Sequence, residues 1–209
     1  MKKFFTSIPL QDTLRQYVYK PLDSTELAYD TPNSLPVLNA INEYAEDGET
    51  ITVYFLFPYD NENCQKNFTT VCGQLDELAK AKNITVNIEK ISYSDNDNIS
   101  TMLNLYGELI KCFEDNDQLY TCITYGTKPI PIVQLMALRY AYHAKKNIYI
   151  GSIVYGKLHG KKQNFDGADI YDMTSLFYID ELSDKFCRMN VDNPEEKIAA
   201  IIFDGEEES

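Results

Sequence analysis

The sequence predicts an α/β fold: a Rossmann-like, mostly parallel sheet of about six strands, helices on both faces, and a last strand turned antiparallel by a hairpin. Two observations carry this prediction. Short runs rich in β-branched and aromatic residues alternate with longer segments whose apolar residues recur at helical spacing. Near the end of the series, the connection 156–167 is polar, contains Gly156, Gly160 and Gly167, and has little room for a crossover helix. The strands on either side of it are therefore expected to pair as a hairpin.

Taken in order, the strand candidates are residues 3–8, 51–57, 84–91, 119–124, 148–155 and 168–173, each bounded by turn formers. Residues 63–81 repeat Phe68, Val71, Cys72, Leu75, Leu78 and Ala79 as one helical stripe. Residues 98–113 do the same through Ile99, Met102, Leu103, Tyr106, Leu109 and Ile110, while 130–145 is apolar nearly all round until Arg139. A helix over 174–188 and a last one from Pro194 complete the chain. The predicted division is a domain over 1–190 and a C-terminal helix with an acidic tail over 191–209.

Composition narrows the functional classes. The chain of 209 residues carries 32 Asp and Glu against 19 Lys and Arg, a net charge of −13. Duplex nucleic acid is excluded as a general partner, because phosphate neutralisation needs a basic face. A small anionic ligand in one locally positive pocket remains open. Five cysteines (Cys64, Cys72, Cys112, Cys122, Cys187) include no Cys-x-x-Cys pair and lie at no zinc spacing from either His, so reduced thiols and no metal are expected. The opening Met1-Lys2-Lys3-Phe4-Phe5 is too short for a signal peptide, and no apolar run approaches a membrane span. A soluble, cytoplasmic protein without membrane contact is the expectation.

In open α/β sheets ligands bind beyond the carboxyl ends of the strands. The tips to read are therefore Thr6-Ser7-Ile8-Pro9, Phe57-Pro58-Tyr59, Ser92-Tyr93-Ser94 and Thr124-Tyr125-Gly126-Thr127-Lys128-Pro129. In the last of these, Gly126 permits a positive φ or close ligand approach. Thr127 suits a helix N-cap and Pro129 the first helical turn. Free N–H groups at the helix start and the Lys128 ammonium would together attract phosphate. An ordinary strand-to-helix turn with a solvated Lys is the competing reading. Asp169, Asp172 and Thr174 flank the last strand and could line the same cleft, or form a surface turn.

Other motifs exclude more than they assign. Without Gly-x-Gly-x-x-Gly or a Walker loop, dinucleotide-cofactor and NTPase readings lack their fingerprints, and no cofactor is expected. Arg139 and His143 share a helix face and read as a half-buried Arg and a helix-end His. Glu195-Glu196-Lys197 reads as a solvated helix opening.

The strand-turn-helix Thr121-Cys122-Ile123-Thr124-Tyr125-Gly126-Thr127-Lys128-Pro129 resembles the signature loop of CRISPR-associated Rossmann fold (CARF) domains, sensors of cyclic oligoadenylates in type III CRISPR antiviral immunity. The opening Lys2-Lys3-Phe4-Phe5-Thr6-Ser7-Ile8-Pro9-Leu10, with Ile153-Val154-Tyr155-Gly156 and Ile170-Tyr171-Asp172-Met173-Thr174, is similar to that family too. Tyr125 departs from it, standing where many relatives have a second Gly.

The resemblance implies a homodimer with a ring of four or six adenylates lying across its two-fold axis. It implies ligand-binding roles for Pro9, Phe57, Thr124, Tyr125, Gly126, Thr127, Pro129, Asp172 and Thr174. By similarity to metal-independent ring nucleases, Ser7 or Thr6 would position the sugar or phosphate and Lys128 would stabilise the reacting phosphorus. A ring nuclease is the expected activity. The alternative is a non-catalytic sensor that regulates a separate or fused effector, and an unrelated Rossmann-like phosphate binder is the fallback. Residues 157–167, with their lysines and glycines, are the expected mobile lid.

Overall fold

The computed structural model describes residues 1–22, 26–161 and 164–204. The chain divides into two compact units, Met1–Asp172 and Met173–Ser209. The first unit contains a sheet of seven strands: β1 (Lys2–Ser7), β2 (Tyr19–Pro21), β3 (Thr50–Pro58), β4 (Thr85–Tyr93), β5 (Gln118–Cys122), β6 (Tyr149–Lys161) and β7 (Asn164–Asp172). Its helices are α1 (Val37–Tyr44), α2 (Glu62–Lys82), α3 (Ile99–Lys111) and α4 (Pro129–Ala144). The second unit holds α5 (Thr174–Arg188) and α6 (Pro194–Asp204). Among the described residues, no helix is long and apolar enough to cross a membrane.

The strand order is β2-β7-β6-β5-β1-β3-β4, with every neighbouring pair parallel except β6 and β7. This is the Rossmann-like α/β fold, with the predicted antiparallel last strand. From β1 the chain winds outward through β3 and β4, then returns to β5 on the other side of β1. The reversal leaves a crevice at the carboxyl ends of β1 and β5, the usual ligand position in such sheets.

Alternation along β1 builds the two faces. Phe4 stacks on Tyr120, ring centroids 4.5 Å apart, and Tyr120 on Tyr44 at the end of α1. Phe5 stacks on Tyr54 at 4.8 Å and meets Phe113, just past α3. Truncating a ring so fully buried costs about 3–5 kcal/mol. Local sequence closes the helices: Asn61 accepts the Asn63 N–H at the start of α2, and Asn98 accepts the Thr101 N–H at the start of α3. Asn83, left-handed at φ 53°, ends α2. At the amino end of β1, buried Lys3 reaches Asp117 at 2.8 Å and Glu114 at 3.1 Å, while Lys2 reaches Glu46 and Glu49.

The structure departs from the sequence reading in two places. Strand β2 and helix α1 went unread, because one has three residues ending in a Pro and the other eight, with no polar N-cap. The expected lid is instead mostly β-ribbon. Residues of β6 beyond Val154 pair with β7 alone, from Tyr155 opposite Tyr171 to Lys161 opposite Asn164. Lys162 and Gln163, part of that expected lid, lie outside the described residues.

Candidate functional site

A cleft of about 470 Å³ opens at the crevice, lined by Leu10, Gln11, Thr124, Tyr125, Gly126, Thr127, Gly156 and Leu158. Three segments build it: the loop leaving β1, the turn leaving β5, and the ribbon part of β6. The Gly126 turn is the most constrained. Its φ is +100°, and a Cβ there would stand 3.1 Å from the Ser7 Oγ and 3.1 Å from Ile130. Only glycine fits both the backbone angle and the space. Gly156 is required for packing, since a Cβ would meet Pro36 at 2.4 Å and Tyr19 at 3.0 Å.

Ser7 is the notable residue of the site. Its side chain is 0% exposed, and its Oγ has no hydrogen-bond partner although it lies against Gly126. Buried hydroxyls are nearly always paired, which sets this one apart. Thr6 is equally buried, and its Oγ1 reaches the Ser7 carbonyl at 3.4 Å. The Lys128 ammonium is exposed and, among the described residues, has no ion pair or hydrogen bond. The backbone N–H groups of Gly126, Thr127 and Lys128 are likewise unpaired among the described residues.

The start of α4 differs from its expected form. Lys128, not Thr127, occupies the cap and makes no side-chain capping bond. Thr127 Oγ1 donates instead to Asp97. Pro129 and Pro131 have no N–H, and the Ile130 N–H is taken by the Thr127 carbonyl at 3.0 Å. The free donors therefore belong to the turn before the helix, because proline at two of the first three positions removes them from the helix itself.

The other expected ligand residues also have partners in the fold, and of them Thr124 and Tyr125 line the cleft. Thr124 Oγ1 accepts the Gly156 N–H at 2.8 Å and shares a hydrogen bond with Cys122 Sγ, tying β5 to β6. The Tyr125 hydroxyl lies 3.5 Å from that of Tyr19; burial pushes its phenol up to about 12, with the Tyr19 hydrogen bond pulling the other way. Phe57 belongs to the core, set edge-on to Phe68 under the Lys90 ammonium. Pro9 gives its carbonyl to Asn67. Asp172 stands opposite Val154, level with Cys122 and Thr6 but two strands across from β5, and accepts from Ser152. Thr174 opens α5 in the second unit. Arg139 is half-buried, and His143 is exposed in the last turn of α4.

Leu10, Gln11, Gly156 and Leu158 were missed as lining residues. Distance past the strand end would have flagged the first pair. For the second, the signal was a glycine inside an otherwise continuous strand pattern. The turn carries one cation, Lys128, with the Asp97 carboxylate beside it on Thr127. All five cysteines are free, and among the described residues no group of three or more His, Cys, Asp or Glu is placed to hold a metal ion. No protein-family model matches this chain, and no curated protein matches it.

Proposed function

We propose that this chain binds a cyclic oligoadenylate at the β1–β5 crevice, across the two-fold axis of a homodimer, and cleaves it as a metal-independent ring nuclease of the CARF type in type III CRISPR immunity. The observation that carries the reading is the orphaned Ser7 hydroxyl packed against the Gly126 turn, one residue before the unpaired Thr127 and Lys128 donors. In the reaction, a ribose 2′-oxygen attacks the adjacent phosphorus as its proton is lost. The bond to the 5′-oxygen breaks, and that oxygen takes up a proton. The products are a 2′,3′-cyclic phosphate and a 5′-hydroxyl. The turn's N–H groups and Ser7 would hold the phosphate in line, while Lys128 would offset charge growing on its oxygens.

A two-fold partner is supported by an exposed apolar stripe. Ile132, Met136 and Tyr140 recur at four-residue spacing on α4, and Ile99 and Leu103 do so on α3. The Tyr106–Tyr140 ring contact joins the two rows. Such a contiguous patch is typical of an interface.

The second reading, a sensor that binds without cleaving, is favoured by the complete burial of Ser7 and Thr6, which must become accessible to touch a phosphate. Incubation with cyclic tetra- and hexa-adenylate in EDTA, followed by chromatography, separates the two. Linear adenylates ending in a cyclic phosphate are expected, and Lys128→Ala should slow their formation about 10²–10³-fold. Tight binding of an intact ring supports the sensor; no binding of either ring overturns both readings.

A further inference from the structure

Attack by a ribose 2′-oxygen requires a group that removes its proton near neutral pH, and imidazole is the side chain suited to that task. The chain has two histidines. His143 is in the last turn of α4, which runs back toward the amino ends of the strands. His159 lies at the other end, on the ribbon, five positions past Val154, which is level with Cys122 and Thr6. Thr121 pairs with Phe5 and Ile153 and accepts from Gln134 of α4. Residues in step with it, Ser7 on β1 and His159 on β6, therefore stand on the α4 side of the sheet.

His159 Nε2 is bonded to the Asp169 carboxylate, whose side chain is only 13% exposed, against 40% for the imidazole. Nδ1 has no partner among the described residues. A carboxylate on Nε2 selects the tautomer protonated there and leaves the Nδ1 lone pair as a proton acceptor. Lys157 on β6 and Lys20 on β2 both stand opposite Asp169, with Tyr155 and Tyr171 one pair farther along the same face. Neither lysine is ion-paired among the described residues, so the carboxylate is kept for the imidazole. Directly across from His159 is Gly167, which puts no side chain over the ring. The ladder shifts register just after His159, where Gly160 has φ +97°. Such bulges re-aim a neighbouring side chain and recur beside active sites.

We propose that His159, held by Asp169, is the general base of ring cleavage, with Asp169 as its positioning residue. The 2′-hydroxyl proton passes to Nδ1 as the 2′-oxygen bonds to phosphorus and the bond to the 5′-oxygen breaks. That oxygen takes a proton from water, and the imidazolium returns its own to the hydroxide so formed. The inference rests on the ring-nuclease reading and names the residue that performs its proton transfer. The apolar rows of α3 and α4 put the two-fold axis, and with it the ring, on the face that carries His159.

The test is single-turnover cleavage of cyclic tetra- and hexa-adenylate in EDTA from pH 5 to 9, on the full chain. His159→Gln should slow cleavage about 10²–10⁴-fold and flatten the acid limb of the pH profile, with ring affinity unchanged. Added imidazole should restore part of the rate to His159→Ala. Asp169→Asn, which loosens the tautomer, should slow cleavage at least tenfold, so a misfolded His159 variant would not remove the test. Nitrogen NMR of the unaltered protein should show the Nδ1 resonance moving when the ring binds. Cleavage by the native chain with an unchanged rate and profile in His159→Gln overturns this inference alone. So does a loss of rate that imidazole does not rescue and that parallels lost affinity, or an unmoved Nδ1 resonance. Binding of an intact ring by the native chain overturns both this inference and the ring-nuclease reading.

Discussion

A hydroxyl buried without a partner costs about 1–3 kcal/mol, and at the tip of β1 that penalty falls on Ser7. Ser7→Ala removes the orphan and leaves a cavity smaller than a methyl group. The variant should melt at the same temperature as the native chain or a few degrees higher, while ring cleavage falls at least tenfold. A lower melting temperature with undiminished cleavage would show that the hydroxyl serves the fold alone. Ser7 and Gly126 could be named from sequence because a strand tip and a glycine turn are local features. Phe57 and Thr124 could not be sorted that way. Whether a tip residue faces the crevice, the core or the next strand depends on partners such as Phe68 and Gly156, which are distant in the chain.

At the scale of the element, α4 has two roles that its sequence only partly announces. Pro129 and Pro131 start the helix without supplying N–H donors, which shifts the free donors onto the preceding turn. Its outer face carries the Ile132–Met136–Tyr140 row, which periodicity alone reads as general apolarity, since inner and outer faces are both apolar. Met136→Glu should leave the monomer folded and lower self-association by an order of magnitude or more in sedimentation equilibrium, with ring affinity falling in parallel. Unchanged association would remove α4 from the interface. The β6–β7 ribbon shows the opposite case: its glycines and lysines read as a loop, yet antiparallel pairing extends through Lys161 and sets Gly156 and Leu158 on the cleft.

For the whole molecule, stability should depend on pH through buried tyrosines. Burial is the leading cause in each: it pushes Tyr44 and Tyr125 up to about 12 and raises Tyr19, Tyr93 and Tyr120 as well. A phenol whose folded value is raised stays protonated in the native state where the unfolded chain would ionise. Its contribution is complete below about pH 10 and is lost as pH rises toward the folded values. Lys3 acts in the same direction: burial lowers it, but Asp117 and Glu114 outweigh that and leave it raised. The chain should therefore melt at a nearly constant temperature from neutral pH to about pH 10 and lose stability steeply above it. Absorbance at alkaline pH should show these phenols ionising together with unfolding; early, independent titration would contradict their burial.

The sequence by itself determined the α/β class, the antiparallel last strand and the Gly126 turn. Those features are encoded by periodicity, loop length and a residue type, all readable within a few neighbouring positions. Tertiary structure alone decided that the sheet reverses direction beside β1, that α2 grips the β1 loop by its carbonyls, and that Asp172 lies two strands across from β5. Each of these depends on which elements lie side by side. Packing between segments up to about a hundred residues apart sets that arrangement, as the contact of Ser7 with Gly126 illustrates.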